Sequence, residues 1–87
     1  MKRAQKKLRK HEPIQLTARR HNYFPQRFMW RGKNYDVTAV QEVWTKMQRG
    51  GTRRSACHYF RVKCREGTFD IFQDTTLNAW YLAAQVS

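Results

Sequence analysis

Acidic side chains are what this sequence lacks most. Its 87 residues hold 6 Asp plus Glu against 18 Lys plus Arg, a formal net charge of +12. A chain so short of carboxylates cannot balance its own cations. That opposes self-association and favours phosphate backbones, anionic surfaces or acidic proteins as partners. Cysteine is nearly absent, with only Cys57 and Cys64 present. On one extended strand those two would stand about 23 Å apart on opposite faces, far beyond the ~7 Å Cα separation a disulfide allows. There is no C-x-x-C, and His11, His21 and His58 are not at zinc-ligand spacing, so neither a metal nor a cofactor is expected. No apolar run approaches the roughly 18–20 residues that span a bilayer. No apolar stretch follows the basic start as a secretory signal would require. The expectation is a protein of the cytoplasm, with no membrane partner.

The few acids also weaken a catalytic reading. Asp36, Glu42, Glu66, Asp70 and Asp74 are scattered, and no paired-carboxylate, Ser-His-Asp or metal-ligand pattern stands out. His58 alternates onto the side of Phe60, which suits a packed or edge histidine better than a base. A non-enzymatic protein is expected.

What is present is unevenly placed. Residues 1–22 hold eight basic side chains against Glu12, a net of +7. The other 65 residues hold ten against five, a net of +5. Residues 1–22 therefore read as a flexible, disordered basic arm, and residues 23–87 as one small domain. Ile14, Leu16 and Ala18 alternate with polar residues, which allows a short strand within the arm. A domain of this size buries only about 60% of its unfolded surface, so it depends on large side chains. Aromatics are plentiful, at 14%.

The domain reads as strands. Phe28 and Trp30 share a face before a turn at residues 31–34, and Tyr35, Val37 and Ala39 alternate after it. Residues 39–48 read two ways. Thr38 to Gln41 fits a capping box, and Val40, Val43, Trp44 and Met47 recur at helical spacing, which locally favours a short helix slightly. The alternative is a long strand with a bulge that switches faces. Cys57–Arg65, Thr68–Gln73 and Ala79–Val86 read as three consecutive antiparallel strands. The expected fold is all-β: a small five-stranded antiparallel meander, curled on itself as a bent sheet or SH3-like barrel. Its expected core is Phe28, Trp30, Val37, Phe60, Val62, Phe69, Ile71, Trp80 and Leu82.

Three basic groups could bind a polyanion. Alternation places Tyr59, Arg61, Lys63 and Arg65 opposite Phe60 and Val62, with Phe72 and Tyr81 on the same outer side. Cations beside rings suit single-stranded nucleic acid, where each stacked base is worth roughly 1–3 kcal/mol. The bland reading is a solvated face that keeps the sheet soluble. In the arm, Lys2, Arg3, Lys6, Lys7, Arg9 and Lys10 would add salt-sensitive contacts with little sequence information. Arg49, Arg53 and Arg54 flank Gly50-Gly51 in what reads foremost as a flexible connection.

The strings Phe28-Met-Trp30-Arg31-Gly32-Lys-Asn-Tyr35-Asp-Val37, Trp44, Tyr59-Phe-Arg61-Val62, Gly67-Thr-Phe69-Asp-Ile71 and Trp80-Tyr-Leu82 carry a resemblance over about residues 25–86. In this order and spacing they resemble a small bacterial β domain of uncharacterised function. That domain also occurs at the ends of proteins related to Y-family DNA polymerases. The resemblance implies strand character through Val43, which tips residues 39–48 away from helix. It supplies no catalytic residues. It implies DNA over RNA, or docking on a DNA-repair or polymerase-related protein. Arg31 and Arg61 are the matched polar residues best placed for a surface.

The expectation is a non-enzymatic nucleic-acid-binding module using Lys6, Lys7, Arg9, Lys10, Arg31, Tyr59, Arg61, Lys63 and Arg65. The alternative is a protein-interaction or structural module that docks on an acidic partner.

Overall fold

The computed structural model describes residues 11–21, 23–50 and 53–87, with residues 48–50 and 53–55 described by backbone pairing alone. Six strands follow one another: β1 (Glu12–Arg20), β2 (Phe24–Trp30), β3 (Lys33–Gly50), β4 (Arg53–Cys64), β5 (Gly67–Asp74) and β6 (Ala79–Gln85). They pair antiparallel in chain order and close into a barrel. Closure falls to β1, which is shared between two neighbours. Its start, Glu12–Ile14, lies against Trp80–Leu82 of β6, and Gln15–Arg20 lie against Phe24–Met29 of β2. Closing the sheet removes most of the exposed edge that a short open sheet would leave.

The all-β architecture expected from alternation is present, with six strands rather than five. The added strand is β1. The boundary expected at residue 22 thus falls between two neighbouring strands of one barrel. Charge concealed this: Arg19 and Arg20 extend the basic run, while Ile14, only 7% exposed, is a core residue. The flexible arm expected over residues 1–22 includes β1, and its first ten residues lie outside the described residues.

Turn chemistry sets the register. Trp30 pairs with Lys33, so Arg31 (φ 53°) and Gly32 (φ 76°) alone make the β2–β3 turn. Positive φ at both positions is the turn whose twist matches flanking strands. Asn34, read as part of the turn, is the second residue of β3. Cys64 pairs with Gly67 across a two-residue turn. The β5–β6 turn is held by Asp74, whose Oδ1 accepts from the backbone N–H groups of Thr76 (3.0 Å) and Leu77 (3.3 Å).

Residues 39–48 belong to β3, and their helical look has a geometric cause. Val37, Val40 and Val43 pair with Cys64, Val62 and Phe60, while register shifts fall between Val37 and Ala39 and between Val40 and Glu42. Each bulge inserts one residue. Three valines spaced by three therefore meet three β4 residues spaced by two. The strand mimics helical periodicity without being helical.

The barrel interior holds Ile14, Phe28, Tyr35, Phe60, Val62, Cys64, Phe69, Ile71, Trp80 and Leu82. Trp30 and Val37, expected in the core, are half-buried at its margin, with Leu16, Phe24 and Val40. Phe28 stacks on Tyr35 at 5.2 Å, and Phe69 sets its edge against Phe28, Trp30 and Tyr35. Offset and edge contacts of this kind add to area burial.

Candidate nucleic-acid interface

The outer face of the β3–β4–β5–β6 sheet carries two rows of side chains, each crossing the strands. One row is aromatic. Trp44, Tyr59, Phe72 and Tyr81 are direct cross-strand partners, and strand spacing brings their rings into stacking contact. The centroid distances are 5.3 Å for Trp44–Tyr59, 4.7 Å for Tyr59–Phe72 and 5.3 Å for Phe72–Tyr81. His11 adds its edge to Phe72 at 4.9 Å. With Cys57 these rings form a second hydrophobic cluster on the opposite side of the sheet from the barrel core.

This corrects the role expected for Tyr59. Alternation placed it on the outer face correctly, but it is 6% exposed. Both faces of its ring are occupied by neighbouring rings, so no base can stack there. Burial accordingly holds the Tyr59 phenol above its ordinary pKa. The sequence signal for this was present: Trp44, Phe72 and Tyr81 also alternate onto the outer side, and four rings in register make a ladder.

The second row is charged. Arg61 sits between Glu42 and Asp70. Its Nε and Nη2 donate to the two carboxylate oxygens of Asp70 at 2.8 and 3.0 Å, and Nη1 lies 3.2 Å from Glu42. The Asp70 hydrogen bonds, chiefly, raise the guanidinium pKa. Two carboxylates engage this cation, and its guanidinium lies over the Trp44 ring at 5.7 Å.

Arg31 is paired as well. Its Nε and Nη2 donate to Glu12 at 2.9 and 2.7 Å, and its guanidinium lies 4.8 Å from the Trp30 ring centre. The Trp30 indole also donates to Glu12 at 2.9 Å. Hydrogen bonds from Arg31 first and Trp30 second lower the Glu12 carboxyl below its ordinary pKa. The pair fastens β1 to the β2–β3 turn. Unlike Arg61, the Arg31 side chain is 67% exposed, so its guanidinium stays open to solvent beside Glu12.

The remaining acids are used in the same way. Asp36 pairs with Arg27 at 2.6 Å and Glu66 with Lys33 at 3.7 Å, while Asp74 caps its turn. All six carboxylates are thus engaged within the barrel. Among the described residues, Arg20, Lys46, Lys63 and Arg65 have no ion pair. Lys63 and Arg65, expected as binding residues, are exposed at the β4 end and its turn. Lys46, not expected, places its ammonium 5.1 Å from the Tyr59 ring centre. Its position two residues after Trp44 was the available signal. Lys6, Lys7, Arg9 and Lys10 lie outside the described residues.

The Lys33–Glu66 contact joins the β2–β3 and β4–β5 turns, so Arg31, Lys33 and Arg65 occupy one end of the barrel. At the other end β3 and β4 run on as a two-stranded ribbon. Pairing continues from Met47↔Ala56 to Gly50↔Arg53, beyond the last β4–β5 pair at Cys57↔Asp74. Arg49, Arg53 and Arg54 fall in that ribbon.

Both cysteines are free and buried. Cys64 faces the core, where burial above all pushes its pKa up to about 11. Among the described residues no group of three or more His, Cys, Asp or Glu is placed to hold a metal ion.

No curated protein and no solved structure is significantly similar to this chain. A family model does match, and it covers residues 4–85, taking in β1 and part of the basic arm that the resemblance over residues 25–86 left out. The family is described as a domain of unknown function (DUF6504), and this chain belongs to it.

Proposed function

We propose that this chain is a non-enzymatic nucleic-acid-binding module that holds the phosphate backbone rather than the bases. One observation carries the reading: every Asp and Glu is already engaged by another group of the same domain, so the surplus cations face solvent uncompensated. Arg20, Lys46, Lys63 and Arg65 lack ion pairs among the described residues, and the arm and the ribbon add their own lysines and arginines. Arg31 and Lys33, 67% and 59% exposed, can take a phosphate beside the carboxylates they already hold. Lys6, Lys7, Arg9 and Lys10 supply further sequence-independent contacts. Tyr59 and Arg61 leave the binding set and act as scaffold. The resemblance to domains found beside Y-family polymerases favours DNA over RNA, and a setting in DNA repair or damage tolerance, with a repair or polymerase-related protein as neighbour.

The test is titration of the full chain with labelled single-stranded DNA, duplex DNA and RNA at two salt concentrations. Binding is expected to weaken steeply with salt, with a log–log slope of about −0.7 to −0.9 per phosphate contacted. Deleting residues 1–10 should make the slope shallower. Absence of binding to all three at low salt ends the proposal.

A further inference from the structure

The β2–β3 ladder stops at Arg27↔Asp36, yet β3 runs on to Gly50. Over Val37–Val43 the edge of β3 that faces away from β4 has no strand beside it among the described residues. Such an edge presents backbone N–H and C=O groups that can pair with another chain. Two of the usual protections, proline and lysine, are missing here. Residues 37–43 contain no proline and no lysine, and the one charge, Glu42, is turned to Arg61 at 3.2 Å. The two bulges instead carry the edge across a groove of about 470 Å³ between β3 and the β1–β2 turn. Phe24, Pro25, Val37, Val40 and Val43 give it an apolar lining, and its Arg, Lys, Asp and Glu members are Arg20 and Glu42, the latter held by Arg61. Val43 is 43% exposed although it pairs with Phe60, a core residue. An apolar residue so placed lacks the cover that a further strand would give.

We propose that this edge and groove take an extended peptide segment of another protein as an added strand, with aliphatic and acidic side chains alternating. The period of a strand puts alternate residues on one side. Aliphatic side chains on that side would fill the space between Phe24, Pro25 and Val43, while the backbone pairs with Val37–Val43. Charge complementarity chooses the acidic partner. Arg20 has no ion pair among the described residues, and a chain of net charge +12 attracts an acidic segment while repelling a second copy of itself. A nucleic-acid strand finds one arginine in this lining and an apolar floor, which gives a phosphate backbone little to hold. The proposal stands apart from the nucleic-acid reading, since the groove shares Arg20 with the surplus cations but none of the outer-face cations.

The test uses the full chain, isotope-labelled, with a synthetic eight-residue peptide alternating Asp or Glu with Val or Ile. Controls are a peptide of the same composition with acids and aliphatics in separate blocks, and a thymidine oligonucleotide. The alternating peptide should shift the amides of residues 20, 21, 23, 24, 26 and 37–43 and slow hydrogen exchange in β3, with a dissociation constant below about 1 mM. Val43→Glu, at an exposed position, should weaken it at least tenfold with the thermal midpoint kept. Arg20→Glu, which leaves the edge intact, should weaken it severalfold. No response in β3 at millimolar peptide, equal binding by the blocked peptide, or oligonucleotide shifts centred on residues 37–43 would overturn the proposal. So would sedimentation showing a dimer that uses this edge.

Discussion

Truncating Tyr59 to alanine separates a structural ladder from a base-stacking surface. Tyr59 is 6% exposed and lies between Trp44 at 5.3 Å and Phe72 at 4.7 Å. Removing a buried aromatic ring costs about 3–5 kcal/mol, and here the loss includes two stacking contacts worth roughly 0.5–1.5 kcal/mol each. A domain of this size has about 4–12 kcal/mol of total stability. Tyr59→Ala should therefore remove a large share of it. Each kcal/mol moves the midpoint by about 4–8 °C, so the fall should be 12 °C or more. Urea unfolding gives the free energy directly. A double-mutant cycle with Phe72→Leu should return a coupling of about 0.5–1.5 kcal/mol between the two rings. A loss below about 1 kcal/mol for Tyr59→Ala, with nucleic-acid affinity reduced, would refute the reasoning and restore Tyr59 as a contact residue.

Three further outcomes follow from the barrel's local chemistry. The Glu12 pKa is lowered in the folded chain, so its contribution is present above the unfolded carboxylate pKa and is lost as pH falls through the folded value. Glu12→Gln should flatten the acid limb of stability against pH between about 5 and 2. Cys64 behaves oppositely: its folded pKa is raised to about 11, so stability is complete below the ordinary thiol value and falls as pH rises through it. Cys64→Val should reduce the alkaline loss measured by urea unfolding between about pH 8.5 and 11. Gly67 has φ 147°, and a Cβ there would run into the carbonyl oxygen of Ser87, which accepts from the Thr68 N–H at 3.0 Å. Gly67→Ala should cost about 1–3 kcal/mol, detectable as a lowered thermal midpoint.

Much of the barrel was legible because alternation is strict where both faces of the sheet are used. Phe60, Val62, Phe69, Ile71 and Leu82 were placed in the core by period alone. β1 was obscured because its apolar residues, Ile14 and Leu16, are embedded in a basic run that reads as tail. The β3 bulges were obscured because a strand that skips one residue at each bulge has the period of a helix. At the candidate interface, alternation correctly gave the side of the sheet but not whether a side chain is free. Tyr59, Arg61 and Arg31 each meet partners on other strands: Phe72, Asp70 and Glu12 lie 13, 9 and 19 residues away in sequence. Register across several strands decides such pairings, and one strand's pattern does not contain it. Lys63 lies across from Ala39 and Thr68, which carry no acid, and Arg65 lies in the β4–β5 turn; both side chains are exposed.

The central claim is that the surplus charge binds phosphate while the aromatic ladder stays closed. An amide-shift map of the labelled full chain, titrated with a short DNA duplex at low salt, tests it most directly. The account predicts shifts at Arg31, Lys33, Lys63 and Arg65 and in the arm, collapsing as salt is raised, with Tyr59 and Phe72 little changed. A map centred on Trp44, Tyr59 and Phe72, or one with no response at all, would contradict it.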